Sequence, residues 1–116
     1  MNLKQSLFDI LMETVDDKSF LSFCFKTREH ILINLFFIKH NNQVTFELIC
    51  SAITPKITSR STIQTIINSG IESGYYLKSS NPEDKRQKII SLSKEAMITF
   101  NNWQDRYKRI WMKNTI

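Results

Sequence analysis

The sequence predicts a mainly α-helical fold with one small β-hairpin, in the order α-α-α-α-β-β-α. Two observations lead to this fold class. Apolar residues recur at helical spacing in five segments of the 116-residue chain, and two strand-like runs, 75–78 and 88–92, flank an Asn81-Pro82 turn. A hydroxyl-rich helix start near Ser59 precedes this hairpin. That order is typical of a winged helix-turn-helix, which places one helix in the DNA major groove and its hairpin, the wing, against the DNA backbone or minor groove.

The length of the chain predicts a single winged-helix domain over residues 1–116, without room for a separate catalytic domain. We expect residues 44–92 to form the DNA-binding helix-turn-helix and wing. Residues 1–39 and 94–116 are expected to form terminal helices that dimerise. The chain has only two Gly and two Pro, which indicates long regular elements and few irregular loops.

The positive charge is unevenly distributed. The net charge is +5, and residues 1–53 contribute −1. Residues 54–93 and 94–116 each contribute +3. A basic surface on the last two thirds of the chain favours a polyanionic partner such as double-stranded DNA.

The first three helices are predicted from apolar spacing and from capping residues. Residues 3–15 are expected to form the first helix, and a second, longer helix runs from Phe20 to about Lys39. Thr45 caps a third helix, which Pro55 ends because the residue before a proline is pushed out of helical geometry.

The fourth and fifth helices enclose the hairpin. Thr58 or Ser59 caps the fourth helix, and Gly74 is expected to end it in left-handed geometry. Ser93 caps the fifth helix directly after the second strand. The fourth helix is therefore the candidate recognition helix.

The first turns of the fourth helix carry side chains suited to DNA. Short hydroxyls contact phosphates, Arg binds guanine with two hydrogen bonds and Gln binds adenine. The alternative is an amphipathic core helix with a solvated polar face, because such faces are common. The predicted DNA contacts on this helix are Ser59, Arg60, Ser61, Thr62, Gln64 and Thr65.

The tip of the hairpin favours the DNA-binding interpretation. Asp84, two residues before Arg86, can orient the guanidinium toward a narrow, electronegative minor groove. A charged turn by itself would be a solvated loop. A polar helix followed by a basic hairpin, however, fits one docking geometry. The predicted wing contacts are Asp84, Lys85, Arg86 and Lys88.

Three segments carry a resemblance to a known family: Ser59 to Ile63 with Gly74, Asn81 to Arg86, and Ile90 to Glu95. Through them, residues 30–103 resemble the MarR family of bacterial winged-helix transcription regulators. The resemblance implies a homodimer on a pseudo-palindromic operator, with recognition helices in major grooves and wing arginines in minor grooves. It gives groove or phosphate contacts to Arg60, Ser61, Thr62 and Gln64, and it makes Arg86 the wing arginine oriented by Asp84. Family members often bind small ligands, but the sequence names no effector.

The chain departs from the family pattern at two places. Gly70 stands where family members usually have a bulky aliphatic residue, which removes one core contact and indicates close packing at a helix–helix crossing. Family members usually have two helices after the wing. Only about twenty residues follow Ser93 in this sequence, enough for one helix.

A dimer surface is predicted on the first and last helices. Apolar residues of the last helix repeat at spacings of 4, 3, 4 and 3, a narrow seam typical of coiled coils. The alternative is that this seam packs on the first two helices of its own chain. The predicted dimerisation residues are Leu7, Leu11, Phe100, Trp103, Tyr107, Ile110 and Trp111.

The sequence contains no pattern typical of an enzyme or a metalloprotein. We find no Cys/His/carboxylate cluster, no Ser/His/Asp order and no Gly-rich phosphate loop, so we expect no catalysis, metal or cofactor. The most apolar run, 31–38, has eight residues, whereas a membrane span needs about 20. Without a secretory leader pattern, we expect a cytoplasmic, nucleoid-associated protein without a membrane partner.

The two cysteines, Cys24 and Cys50, lie in apolar patterns. A reactive thiol needs exposure and a nearby cation or base. Lys26 and Arg28 are close to Cys24 in sequence, which raises a redox role for it, but a buried and inert thiol is the favoured interpretation.

Two other functions stay open at this point. One is a winged helix that binds a protein, and the other is a replication or chromosome-organising DNA-binding factor. Charge placement distinguishes the first from a DNA-binding regulator. If Arg60, Arg86 and Lys88 share an exposed face with the recognition helix, DNA is favoured, whereas an apolar patch on that face would favour a protein partner.

Overall fold

The computed structural model describes residues 3–16, 19–54 and 56–114. Within these ranges the chain forms six helices and a two-stranded antiparallel hairpin, and the predicted winged-helix fold class is confirmed. In chain order the elements are α1 (Leu3–Asp16), α2 (Phe20–Cys24), α3 (Arg28–Lys39), α4 (Phe46–Ile53), α5 (Arg60–Glu72), β1 (Tyr76–Ser80), β2 (Lys88–Leu92) and α6 (Lys94–Asn114).

The single long helix predicted from Phe20 to about Lys39 is wrong, because the structure divides it into α2 and α3. Thr27 is the reason: its side chain accepts a hydrogen bond from the backbone N–H of His30, 3.2 Å away, and begins a new helix. The break lets the ring of Phe23 pack against Tyr75 and Tyr76. The helical spacing of apolar residues runs across this break in the sequence, so spacing alone did not predict it.

The predicted caps of the recognition region are confirmed. Thr45 caps α4, and Ser59 rather than Thr58 caps α5 by accepting a hydrogen bond from the Thr62 N–H, 3.2 Å away. Gly74 has a φ of 81°, which is the left-handed geometry expected after α5. The predicted stop at Pro55 lies outside the described residues.

The hairpin is fastened to the loop between α3 and α4. Tyr76 pairs with Leu92 and Ser80 with Lys88, so β1 begins and ends later than predicted while β2 matches its prediction. Val44 exchanges two backbone hydrogen bonds with Ile90. The Asn42 side chain donates to the Leu92 carbonyl at 3.1 Å and accepts from its N–H at 2.6 Å.

One buried contact joins α5, β1 and α3. A Cβ placed on Gly70 would lie only 2.3 Å from Cδ2 of the Tyr76 ring, so the ring lies directly against the α5 backbone. The buried Tyr76 hydroxyl donates to Oδ1 of Asn34 at 2.7 Å, and Nδ2 of Asn34 donates to the His30 carbonyl at 2.7 Å. The close packing expected at Gly70 is therefore with a strand residue, and the predicted helix–helix crossing is wrong.

The terminal helices α1 and α6 pack on each other, but α1 does not bury the face that is richest in apolar residues. Helix α1 buries Ser6, Ile10 and Thr14, which include two polar residues. Its Glu13 forms an ion pair with Arg106 of α6. The first half of α6 belongs to the main core through Ala96 and Phe100.

We predict that Gly70→Ala destabilises the protein. Alanine normally stabilises a helix interior relative to glycine, but here its methyl group overlaps a ring that Asn34 holds in place. Overpacking of this kind lowers the free energy of unfolding by about 1–3 kcal/mol, measurable by chemical denaturation.

The matched control is Ser69→Ala, an exposed neighbour on the same helix, which is expected to change the free energy of unfolding by less than about 0.5 kcal/mol. A Gly70→Ala variant as stable as this control would contradict the proposed packing constraint.

Candidate nucleic-acid interface

The N-terminal turns of α5 present the predicted polar side chains to solvent. The Ser59 hydroxyl caps the helix and lies 3.1 Å from the hydroxyls of both Ser61 and Thr62. The Thr65 hydroxyl donates to the Ser61 carbonyl at 3.0 Å. These short side chains keep the helix surface flat and polar, which is suited to close approach by a phosphate backbone.

Arg60 begins α5 and forms a two-pronged ion pair with Glu47 of α4. Its Nη1 donates to Oε2 at 3.1 Å and its Nη2 to Oε1 at 2.6 Å. The guanidinium also lies over the Phe46 ring, 5.1 Å from its centroid. Hydrogen bonding to Arg60 lowers the pKa of Glu47, and the same pair raises the pKa of Arg60.

The wing tip has the geometry expected from its sequence. Oδ1 of Asp84 accepts from the backbone N–H of Arg86 at 3.0 Å and from its Nε at 3.3 Å. The Arg86 side chain is nevertheless 90% exposed. Asp84 bonds the guanidinium only through Nε, so the two terminal nitrogens are not used by Asp84.

A groove of about 390 Å³ lies between α4, α5 and the hairpin. Gln64 lines it from α5, the candidate recognition helix, and Lys78, Arg86 and Lys88 line it from the two strands and their turn. Glu47 and Phe46 line its α4 side, next to Arg60. The groove is therefore a mostly basic channel bordered by α5 and the hairpin.

The predicted α5 contacts fall on two sides of the helix. Gln64 faces the wing, whereas Ser61, Thr62 and Thr65 line a second groove shared with the start of α3. Lys85 is exposed at the wing tip and does not line either groove. The structure thus brings Gln64, Arg86 and Lys88 together directly.

Two charged residues of the groove, Lys78 and Glu47, are not among the contacts predicted from the sequence. Lys78 shares its side of β1 with the buried Tyr76, and strand alternation from Tyr76 could have predicted this. The sequence identified Glu47 only as an acidic residue in the first turn of α4, where it is favourable to the helix dipole. Its partner Arg60 is thirteen residues away, so no local pattern links them.

The predicted dimerisation seam packs largely within its own chain. Phe100 is buried in the core, so its prediction as an interface residue is wrong. Trp103 stacks on Tyr107 and packs against Phe25 and Phe100. Leu7, Tyr107 and Ile110 are half-buried, Leu11 is exposed, and the Trp111 side chain lies outside the described part of the structure.

Among the residues that the structure describes, four exposed large apolar side chains lie together on α1. Phe8, Leu11, Met12 and Val15 recur at i, i+3, i+4 and i+7, and they form one face of the helix. Phe8 and Val15 are 63% and 64% exposed. The sequence also shows this spacing. It was not singled out because Leu11 belongs both to this stripe and to the apolar stripe through Ile10 from which the helix was predicted.

The environments of the cysteines favour unreactive thiols. Cys24 and Cys50 are both buried. Desolvation by burial raises the pKa of Cys24 to about 12 and also raises that of Cys50. Among the described residues there is no group of His, Cys, Asp and Glu that could hold a metal ion, and no described helix could cross a membrane.

No family model and no curated protein matches this chain in sequence. Its fold is similar to those of solved transcription regulators. The regulator Tm0710 from Thermotoga maritima matches with a TM-score of 0.65 at 16% identity, covering 97% of this chain and 75% of the regulator. PcaV from Streptomyces coelicolor, solved with its natural ligand, matches with a TM-score of 0.58 at 16% identity, over 93% of this chain and 69% of PcaV.

MarR from Escherichia coli, solved as a C80S mutant with operator DNA, matches with a TM-score of 0.52 at 15% identity, over 97% of this chain and 77% of MarR. At these identities the comparisons establish the fold. The resemblance to MarR-like winged-helix regulators that residues 30–103 indicated is confirmed at that level.

We predict that both thiols react slowly in the folded protein. A pKa near 12 leaves Cys24 about a thousandfold less ionised than an ordinary thiol with a pKa near 9.0. Below pH 9 the thiol is neutral in both the folded and the unfolded protein, so its ionisation does not affect stability. As the pH rises from 9 toward 12 the thiol ionises more readily in the unfolded protein, and the free energy of unfolding falls. Labelling with a chromogenic disulfide at pH 8 should be at least roughly a hundredfold slower than in denaturant.

Cys24→Ser and Cys50→Ser variants assign each phase of the labelling reaction to one thiol. Rapid labelling of Cys24 in the native protein would restore the redox interpretation.

Proposed function

We propose that this protein is a sequence-specific double-stranded DNA-binding regulator of transcription that acts as a homodimer. The observation that supports DNA binding most directly is the shared groove. Gln64 of the recognition helix and Lys78, Arg86 and Lys88 of the hairpin face the same channel. Base readout and backbone neutralisation would then occur in one docking geometry.

Charge and exposure favour DNA over a protein partner at this surface. Arg86 is almost fully exposed, and Arg60 lies at the edge of the same groove with half of its side chain exposed. The exposed Leu77 belongs to the opposite side of β1 from Lys78, so it does not add an apolar patch to the groove. Arg60, Arg86 and Lys88 thus lie around one exposed, mostly basic groove beside α5, which favours DNA as the partner.

The structural neighbours support regulation as the biological role. They are named as transcription regulators, and one of them was solved with operator DNA. Another was solved with its natural ligand, so we propose that a small-molecule effector is compatible with this fold. The replication and chromosome-organising alternative shares the same DNA surface and differs in where on the genome the protein binds.

The exposed stripe on α1 supports the homodimer. A helix that buries Ser6 and Thr14 while exposing Phe8, Met12 and Val15 is poorly matched to water unless another surface covers it. A second copy would bury the stripe and place two recognition helices on one DNA, as a palindromic site requires.

Selection of bound sequences from a random DNA pool, combined with salt titration, tests the function. We expect a palindromic motif whose affinity falls steeply with salt, because lysine and arginine contacts release counterions. Arg86→Ala should weaken binding roughly tenfold and reduce the salt slope by about one, without a change in thermal stability.

Arg109→Ala, the same substitution at an exposed position on α6, is the control and should leave the affinity nearly unchanged. An Arg86→Ala variant with wild-type affinity would remove the wing from the mechanism. Absence of DNA binding by the wild-type protein would refute the function.

The oligomeric state tests the dimer surface. We expect Phe8→Glu to convert a dimer into a folded monomer at micromolar concentration, since a buried carboxylate in an apolar interface is strongly unfavourable. Sedimentation equilibrium would measure the mass.

Leu77→Glu introduces the same charge at a similarly exposed apolar residue on the hairpin and should remain dimeric. A monomeric wild type, or a dimeric Phe8→Glu variant, would exclude this surface as the interface.

A further inference from the structure

We propose that Glu47 is a specificity-determining residue that acts through Arg60. It holds the Arg60 guanidinium in one orientation at the edge of the groove and opposes attachment of Arg60 to phosphates. Glu47 thereby increases the discrimination between the operator and random DNA. This inference rests on the proposed DNA-binding function and assigns a role to a residue that does not itself need to contact DNA.

The geometry holds Arg60 from two directions. The two hydrogen bonds to Glu47, 3.1 and 2.6 Å long, fix the plane of the guanidinium, and the Phe46 ring supports it from one face. A forked pair uses one proton on each terminal nitrogen. Three N–H groups of Arg60, one on each nitrogen, therefore remain available while the plane of the guanidinium is fixed, which suits recognition of acceptors on a base edge.

The local charge gives Glu47 its second effect. Among the residues lining the groove, Glu47 is the single acid, and it faces the side that carries Lys78, Arg86 and Lys88. A carboxylate at this place repels any phosphate that approaches Arg60. This repulsion lowers the affinity for every DNA sequence. It increases specificity only if the affinity for random DNA falls more than the affinity for the operator.

The Arg60–Glu47 ion pair is exposed, so DNA can reach it and it contributes little to the stability of the fold. The side chains of Arg60 and Glu47 are 52% and 57% exposed, so DNA can reach them without any change in the core. Exposed ion pairs contribute little to stability because water and salt screen them. The alternative, that the pair only fastens α4 to α5, predicts a lower melting temperature and an equal loss of affinity for all DNA.

The test compares Glu47→Gln with Glu72→Gln. The first removes the charge while preserving the shape, and the second removes the same charge at the exposed far end of α5. Affinities for the selected DNA and for random DNA are measured at several salt concentrations. For Glu47→Gln we expect random-DNA affinity to rise roughly three- to tenfold and the specificity ratio to fall at least roughly threefold. Glu72→Gln should preserve the ratio.

A double-mutant cycle with Arg60→Ala shows whether Glu47 acts through Arg60. In the Arg60→Ala background, Glu47→Gln should have no further effect on the specificity ratio. Thermal unfolding of each variant separates a folding defect from an effect on binding.

Two outcomes would overturn the inference alone: a Glu47→Gln variant that behaves as Glu72→Gln does, or a change in ratio that persists without Arg60. In both cases the wild type still binds DNA, so the proposed function stands. A wild type that binds no DNA would instead refute the proposed function together with this inference.

Discussion

The arrangement of the whole surface that we propose binds DNA depends on the contact between Tyr76 and Gly70. The Tyr76 ring lies against the bare backbone of α5, and its hydroxyl is held by Asn34 of α3. Because this ring belongs to the first residue of β1, it fixes the distance between α5 and the base of the hairpin. Any side chain larger than hydrogen at residue 70 would push the two apart, and burial of a satisfied hydroxyl makes the contact directional.

The second edge of the hairpin is fixed by backbone hydrogen bonds. Val44 pairs with Ile90 in one isolated bridge, and the Asn42 side chain bonds both backbone groups of Leu92, so the loop before α4 is attached along β2. The groove between α5 and the hairpin is thus bordered by elements that are each fastened to the core. A rigid support of this kind allows exposed side chains such as Arg86 to be presented in a constant direction.

Both arginines of the surface are paired with a carboxylate. Asp84 holds Arg86 through Nε, whereas Glu47 holds Arg60 through both terminal nitrogens. The first arrangement leaves the end of the guanidinium free, and the second occupies part of it. The two arginines therefore differ in how readily a phosphate can reach them, although both lie on the surface that we propose contacts DNA.

The sequence by itself determined the order of elements, apart from the break between α2 and α3, and most of their ends, because caps such as Ser59 and Gly74 act within a few residues of the chain. It also predicted the Asp84–Arg86 contact, which spans one turn. Only the tertiary structure decided what meets Gly70, what holds Arg60 and which face of α1 is exposed. These features depend on contacts between residues that are distant in sequence. Apolar spacing predicts that one face of a helix is buried, but it does not predict which element packs against that face.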